Sequence, residues 1–365
     1  MRVLIAPDEF AGTLSAVQAA EAIAEGWRRQ APDDALDLAP MADGGPGFVE
    51  VLHRALGGHL HVVTVRGPGG ASVPATLLLV ERGGVRAAYV ESAQACGRHL
   101  LDATDPELAS SYGVGELLLY AWDAGATEVV VGLGGSGISD GGAGLLAALG
   151  AQADVALDQG VRGLAGVTEV DLAPARQRLR GLTLHAALDV DIPLTGLFGT
   201  LKAAGEQRGI AEERLPALDG HLEAWANAVD RRLSLDKGAG AAGGLGYALM
   251  LLGATQEPGI DLVAGAVRLA ERCRRADLVL TGEGAFDFSS RSGKVPYGVA
   301  DVAAHALRPC VALAGQVLVG AREMRVLGIE SAYAVVDLVG EEAAFADPAG
   351  SLAQLAQRVA RTWSR

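Results

Sequence analysis

Between Val129 and Gly150 the chain reads VVVGLGGSGISDGGAGLLAALG: an apolar run, a loop of small residues holding one carboxylate, then a helix-forming run. A strand that passes into a helix through so short a loop is the unit of a layered α/β protein. Glycine lacks a Cβ, so backbone N–H groups can close around an oxyanion at the positive end of the helix. Asp140 would repel a bare phosphate but suits one that arrives with a divalent cation. The stretch therefore predicts a metal–nucleotide site drawing on Gly134, Gly135, Ser136, Asp140, Gly141 and Gly142. Two other readings compete. Gly132, Gly134 and Gly137 spell GxGxxG, with Asp154 and Asp158 near the offset of a ribose-binding acid, which is the weak signature of dinucleotide binding. An acid followed by Gly141, Gly142 and Gly144 at the helix start argues against it. The other competitor is a plain strand-to-helix turn.

The remaining sequence narrows the class. The chain's 365 residues suffice for two domains of ordinary size. Half of the residues are hydrophobic but only 4% are aromatic, so the cores are expected from Val, Leu, Ile and Ala. A formal charge of −14 disfavours non-specific nucleic-acid binding and anionic membrane surfaces. Cys96, Cys273 and Cys310 are odd in number and far apart, which speaks against a disulfide framework and fits a reducing cytoplasm. The start, MRVLIAPDEF, reads as a short strand rather than a signal peptide, and no run approaches the ~18 apolar residues of a membrane helix. The His residues lack ligand spacing, so no zinc site is implied.

Other strands end in similar loops. Val3 to Ala6 leads into Pro7-Asp8-Glu9-Phe10 and a helix from about Ser15 to Arg29, with Ser15 and Gln18 as a capping box and Trp27 in the core. Leu36 to Pro40 leads into Met41-Ala42-Asp43-Gly44-Gly45 and a helix opening at Pro46. Asp8 and Asp43 thus stand where ligands bind in open parallel sheets, although each alone could be a helix cap or Asx turn. From His59 the pattern changes to alternating strands with turns at Pro68-Gly69-Gly70 and Gly83-Gly84. Further on, LTLHAALDVDIPLTG is read as a strand whose Asp189 and Asp191 face one side, able to share a metal or place a base beside one. Leu218 to Leu235 is read as a helix. The loop after it, with Gly240 and Gly243, serves either anion contact or close helix packing. Ala276 to Thr281 is a strand followed by Glu283, Asp287, Gly293 and Lys294, the lysine placed at a helix start to meet phosphate. It is not a P-loop, because Phe288 and Val295 stand where Gly and Ser or Thr would be needed. The two ends of the chain together predict one doubly wound sheet, residues 1–58 plus 262–365, with a mixed α/β domain, 59–261, inserted between them.

In order, the segments PDEFAGTLS, MADGG, GGSGISDGG, DVDIPL, GAGAAGGLG and TGEGAFD…SGK resemble those of the two-domain bacterial glycerate kinases of the glycerate 2-kinase type. The resemblance spans nearly the whole chain. It implies a flavodoxin-like α/β domain built from both chain ends, a mixed α/β domain inserted in it, and phosphoryl transfer from ATP to glycerate in an interdomain cleft. The chain has Ala11, Pro46, Ser139, Ile192 and Ala285 where that family carries Lys, Glu, Asn, Asn and Arg. Its Phe198-Gly199-Thr200-Leu201-Lys202-Ala203-Ala204 lacks the family's Pro-Gln.

On this reading Asp189 and Asp191 hold Mg²⁺ or act as base, and Asp287 and Lys294 complete the catalytic group. Asp8 and Asp43 face the acceptor, with Glu283 and the glycine loops binding substrate and nucleotide. The reaction expected is phosphorylation of D-glycerate, leaning to 2-phosphoglycerate, or of a related small hydroxy acid, with ATP and Mg²⁺ as cofactors. The alternatives are a catalytically silent relative that binds nucleotide or metabolite, and an NAD-dependent oxidoreductase resting on GxGxxG alone. A homodimer is compatible with the sequence.

Overall fold

The computed structural model describes residues 1–10, 12–101, 104–287 and 293–364. The chain divides into two compact units, Met1–Asp43 with Glu50–Leu56 and Gly259–Arg365, and Gly44–Val49 with Gly57–Pro258.

The first unit carries a five-stranded, wholly parallel sheet in the order Ser331–Ala334, Cys310–Ala314, Leu278–Thr281, Arg2–Ile5, Ala35–Leu38. Counted along this unit, that is the 2-1-3-4-5 order of a flavodoxin-like doubly wound fold. The N-terminal strand lies between the edge strand Ala35–Leu38 and the central strand, and pairs Val3, Leu4 and Ile5 with Leu278, Val279 and Leu280 from the C-terminal part. Val3, Ile5, Leu278, Leu280, Val311 and Leu313 share a core with Ile23, Trp27, Leu352, Leu355 and Val359. Leu4, Val279 and Ala312 are equally buried, and the two-residue period turns them to the opposite face. Burial on both faces explains why these strands read as continuous apolar runs.

The helix Ala16–Gln30 begins as its sequence requires. Ser15 Oγ accepts from the Gln18 N–H at 3.3 Å, and Gln18 Oε1 accepts from the Ser15 N–H at 2.9 Å. Trp27 is fully buried, with its indole N–H on Asp34 Oδ2 at 2.9 Å, so it is core as expected. Some boundaries differ from the sequence reading. The helix after MADGG starts at Phe48, not at Pro46. The long helix runs Leu215–Val229, with Pro216 in its first turn, instead of Leu218 to Leu235. It stops where the Tyr247 hydroxyl accepts from the Asp230 N–H at 3.0 Å and donates to the Asp230 carbonyl at 2.9 Å, which takes that residue out of the helix.

The second unit holds a six-stranded mixed sheet in the order Thr255–Pro258, Thr183–Leu188, Glu128–Leu133, Val85–Glu91, Ser72–Arg82, His59–Arg66. The first four strands are parallel and the last three form antiparallel pairs. The hairpin turns fall at the expected glycines, with φ of +91° at Gly70, +61° at Gly83 and +83° at Gly84. The fold is thus a flavodoxin-like α/β unit with a mixed α/β unit inserted in its sequence. No helix among the described residues is long and apolar enough to cross a membrane. The three cysteines are free and buried.

Helices Ala16–Gln30 and Pro348–Trp363 pack tightly at Gly26, where any Cβ would collide with the Ala353 carbonyl oxygen. Backbone cannot retreat as a flexible side chain can. Gly26→Ala is expected to destabilise the protein by about 1–3 kcal/mol, read as a lower urea midpoint with an unchanged m value.

Candidate functional site

In the first unit the acids singled out from sequence emerge at the carboxyl edge of the parallel sheet. Backbone pairing continues past the strands: the Ala6 N–H donates to the Leu280 carbonyl at 2.7 Å and the Asp8 N–H to the Gly282 carbonyl at 2.8 Å. On the other side the Ala39 N–H donates to the Ile5 carbonyl at 2.8 Å and the Met41 N–H to the Pro7 carbonyl at 2.9 Å. Three loops are thereby held side by side. Thr281 Oγ1 reinforces them by donating to the Ala6 carbonyl at 3.0 Å. Asp8, Asp43 and Glu283 are carried on these loops, and the charges of Asp43 and Glu283 act on Asp8.

Lys294 joins this group. Its ammonium donates to Asp43 Oδ2 at 3.0 Å, and Asp43 is buried. Lys294 occupies the N-cap of Val295–His305, following Gly293 at φ +69°, so the lysine sits where a left-handed residue turns the loop into the helix. Asp287 follows the short strand Ala285–Phe286, which pairs in parallel with Gln316–Val317. Ala11, and the Ser292 that precedes Gly293, lie outside the described residues.

Burial raises the Asp8 carboxyl well above the usual carboxylate range, and the negative charge of Asp43 adds to the effect. The Glu9 N–H, donating to Asp8 Oδ1 at 2.8 Å, opposes it in part. A buried carboxyl with a raised pKa, acted on by an acid that is itself paired with a lysine, marks a candidate functional site.

The second unit likewise presents its loops at the carboxyl edge of the parallel strands. The strand Thr183–Leu188 ends one residue before Asp189, so both Asp189 and Asp191 lie in the following loop. The two-residue strand period therefore does not set which way they face, contrary to the sequence reading. Asp191 is exposed and pairs with Lys237 at 3.0 Å.

The glycine loop after Leu133 is built differently from its sequence expectation. Asp140 is completely buried. Its Oδ2 accepts from the Ser111 N–H at 2.7 Å, the Ser111 hydroxyl at 2.8 Å and the Gly144 N–H at 3.2 Å, while Oδ1 accepts from the Gly142 N–H at 3.0 Å. The Ser111 hydroxyl in turn accepts from the Leu145 N–H at 2.9 Å. Asp140 thus gathers the open N–H groups at the start of Ala143–Ala148 onto its own carboxylate. Burial raises its pKa, and these donors hold it back.

Most of the neighbouring glycines serve close backbone packing. A Cβ on Gly141, at φ +64°, would meet the Trp225 ring at 2.9 Å, and one on Gly244 would press on the Gly141 backbone. The Gly141 N–H donates to the Gly243 carbonyl at 3.0 Å, and the Gly240 N–H to the Ile192 carbonyl at 2.9 Å. The two glycine-rich loops are therefore docked on one another, which is the packing alternative considered for Gly240 and Gly243. Gly142, at φ +72°, faces Ala248. Gly134 and Gly135 are only partly buried, and Ser136 forms a backbone bridge with Gly97. Gly44 and Gly45 lie in this unit too: a Cβ on Gly44 would come 2.7 Å from the Ala187 carbonyl oxygen, and one on Gly134 would lie 2.5 Å from the Gly45 Cα.

Sequence reading passed over three features. Glu91 is a buried acid ending the parallel strand Val85–Glu91, with its Oε2 at 3.4 Å from the Val49 N–H. The strand text VES held that signal. Ser111 is the partner of Asp140, and only the fold brings them together across 29 positions. Arg208 lies buried beside the glycine loop, and no local pattern marks it.

Comparison with known proteins bears on the family and the fold. The sequence profile of the glycerate kinase family matches residues 3–364. An uncharacterized protein of Mycobacterium tuberculosis (strain CDC 1551 / Oshkosh) is 40% identical, covering 99% of this chain and 91% of the relative. The glycerate 2-kinase of Escherichia coli (strain K12) is 36% identical, covering 99% of this chain and 98% of the relative. A crystal structure described as a glycerate kinase 2 from Salmonella typhimurium LT2 superposes with a TM-score of 0.78 at 36% identity, covering 99% of this chain and 98% of that one.

Two measurements check the electrostatics. Because Asp8 has a raised native pKa, the folded state keeps its proton in a pH range where the unfolded chain has lost it, and stability falls as pH rises through that range. Asp8→Asn removes this effect. Its melting temperature is expected to exceed that of wild type at neutral pH, with the difference disappearing below about pH 4, the unfolded carboxylate value. Asp140→Ala, by contrast, strands several buried donors and is expected to lower stability by at least about 2 kcal/mol in urea unfolding, with or without Mg²⁺.

Proposed function

The chain belongs to the glycerate kinase family, and from that premise we propose that it transfers the terminal phosphoryl group of ATP to the C2 hydroxyl of D-glycerate, giving 2-phosphoglycerate. A related small hydroxy acid is the second acceptor to consider, because Ala285, where related sequences carry Arg, is exposed on the short strand Ala285–Phe286. The observation that carries the reading is the group Asp8, Asp43, Glu283 and Lys294 at the carboxyl edge of the parallel sheet. Phosphoryl transfer requires positioning and charge neutralisation more than covalent chemistry, and this group offers both signs of charge on rigid loops.

In this proposal Lys294 supplies the cation that steadies phosphate oxygens, with Asp43 fixing its ammonium. Asp8, Asp43 and Glu283 orient the acceptor, and Asp8, with its raised pKa, is suited to exchange the proton of the attacking hydroxyl. Asp287 belongs to the same loop system. Gly293 shapes the approach to Lys294, while Gly44, Gly45, Gly134, Gly135 and Ser136 shape the nucleotide side.

Mg²⁺ is a hard cation that keeps several waters and needs one or two carboxylates plus phosphate oxygens. Among the described residues no group of three or more His, Cys, Asp or Glu side chains forms a ready-made metal cage. Asp189 and Asp191 fit the lesser requirement, and when bound, Mg²⁺ would neutralise charge on the phosphates. Asp191 would then exchange Lys237 for the metal. Asp140, Gly141, Gly142, Gly240 and Gly243 are proposed as the packed support of this region. The two compact units are proposed as the functional domains.

The deciding experiment follows ADP release from Mg-ATP with D-glycerate and related hydroxy acids, with the product examined by phosphorus NMR. Glycerate-dependent release with a phosphorus doublet, from coupling to the single C2 proton, is expected; a triplet would place the phosphate on C3. ATP binding without any turnover would instead favour the silent-relative reading. Lys294→Met is expected to lower kcat about 100-fold or more with the fold retained. Asp191→Asn is expected to abolish turnover, and unchanged turnover would remove Asp191 from the mechanism.

A further inference from the structure

Arg208 is 7% exposed and lies against the glycine loop of the second unit. It closes the short turn Glu206–Arg208, after which Gly209 at φ +89° turns the chain away. Its Nη1 donates to Ser139 Oγ at 3.2 Å, Thr200 Oγ1 at 3.1 Å and the Thr200 carbonyl at 3.3 Å. No carboxylate among the described residues forms an ion pair with it, whereas the chain pairs other arginines such as Arg66 and Arg214 with acids. Nε and Nη2 make no hydrogen bond to a described residue, yet neither is among the sealed, unsatisfied buried atoms. One corner of the guanidinium is therefore anchored and the opposite edge remains within reach of solvent.

Two groups act on its charge: Cys96 favours the cation and Arg98 opposes it. The segment carrying Arg98 runs along the same loop: the Arg98 N–H donates to the Gly135 carbonyl at 3.0 Å, and the Gly137 N–H to the Cys96 carbonyl at 2.8 Å. Burial and the Arg98 charge lower the Arg208 pKa to about 10, so it remains a cation at neutral pH. Buried charges are normally paired, because desolvation is otherwise uncompensated. An arginine fork with a free edge is matched to an oxyanion.

We propose that Arg208 is an anion-binding residue whose counter-ion is a phosphate group of the bound nucleotide, taken at the edge of the Gly134–Ser139 loop. The proposal deepens the kinase reading, and rests on it for the identity of the phosphate donor. The anchoring by Ser139 and Thr200 presents Nε and Nη2 with little side-chain freedom left to lose on binding. The bound anion, in turn, supplies the charge the protein interior lacks. The acceptor's carboxylate is the other oxyanion at hand, and the test separates the two.

The full-length protein, Arg208→Gln and Arg208→Lys are titrated with ADP, inorganic pyrophosphate and D-glycerate, followed by calorimetry and melting temperature, with urea unfolding as the check of fold. For Arg208→Gln, at least tenfold weaker ADP and pyrophosphate binding is expected, with the ligand-free melting temperature equal to or above wild type. A merely structural arginine would lower that temperature and leave the affinities of the folded fraction unchanged, which overturns the proposal. Loss of D-glycerate binding with intact pyrophosphate binding overturns the phosphate assignment. If Arg208→Gln does not fold, Arg208→Lys decides: its ammonium retains charge but not the fork, so weakened pyrophosphate binding supports the proposal and unchanged binding overturns it. Absence of turnover in wild type would count against the kinase reading alone, because pyrophosphate binding is read without catalysis.

Discussion

The pairing of Val3, Leu4 and Ile5 with Leu278, Val279 and Leu280 is the constraint on which the rest depends. It joins distant parts of the chain, so forming it carries a loop-closure entropy that grows only slowly with the length enclosed. The offset is burial: all six of these residues are fully buried. Because that cost depends so weakly on length, a complete second unit with its own core can lie between the two strands. The same pairing aligns the loops that carry Asp8 and Glu283. The acids at positions 8 and 283 are neighbours only because the sheet register makes them so.

The two units use glycine and carboxylate to different ends. In the first, the Asp43–Lys294 pair and Asp8 place charge where the parallel strands finish. In the second, the acid inside the glycine loop turns inward, and Asp140 satisfies N–H groups that an anion would otherwise find open. Arg208 reaches Ser139 in that loop from a different segment of the second unit. Glycine density alone could not separate these outcomes. A glycine that admits a phosphate and one that admits another backbone look identical in sequence, as Gly141 against Trp225 and Gly244 shows.

Much of the architecture was legible from short-range physics. The capping box at Ser15, the hairpin glycines, the buried Trp27 and the strand–loop–helix units each follow from backbone conformation or local hydrophobic period. The strand from Thr183 is shorter than its apolar pattern, which continues through Val190, because pairing with Thr255–Pro258 and Glu128–Leu133 ends at Leu188. Neither end of the long helix is marked locally, since Pro216 is compatible with a first helical turn and the stop at Asp230 depends on Tyr247.

By itself the sequence determined the class of fold, the order of its βα units and the loops that gather acids and glycines, because those follow from interactions spanning a few residues. Its six ordered motifs also carried the family resemblance. Only the tertiary structure decided which polar side chains each loop turns inward and which it leaves accessible. Asp140 meets Ser111 across 29 positions and Arg208 meets Ser139 across 69. Such pairings depend on how complete elements pack, and burial then fixes whether a charge is spent within the protein or left for a ligand.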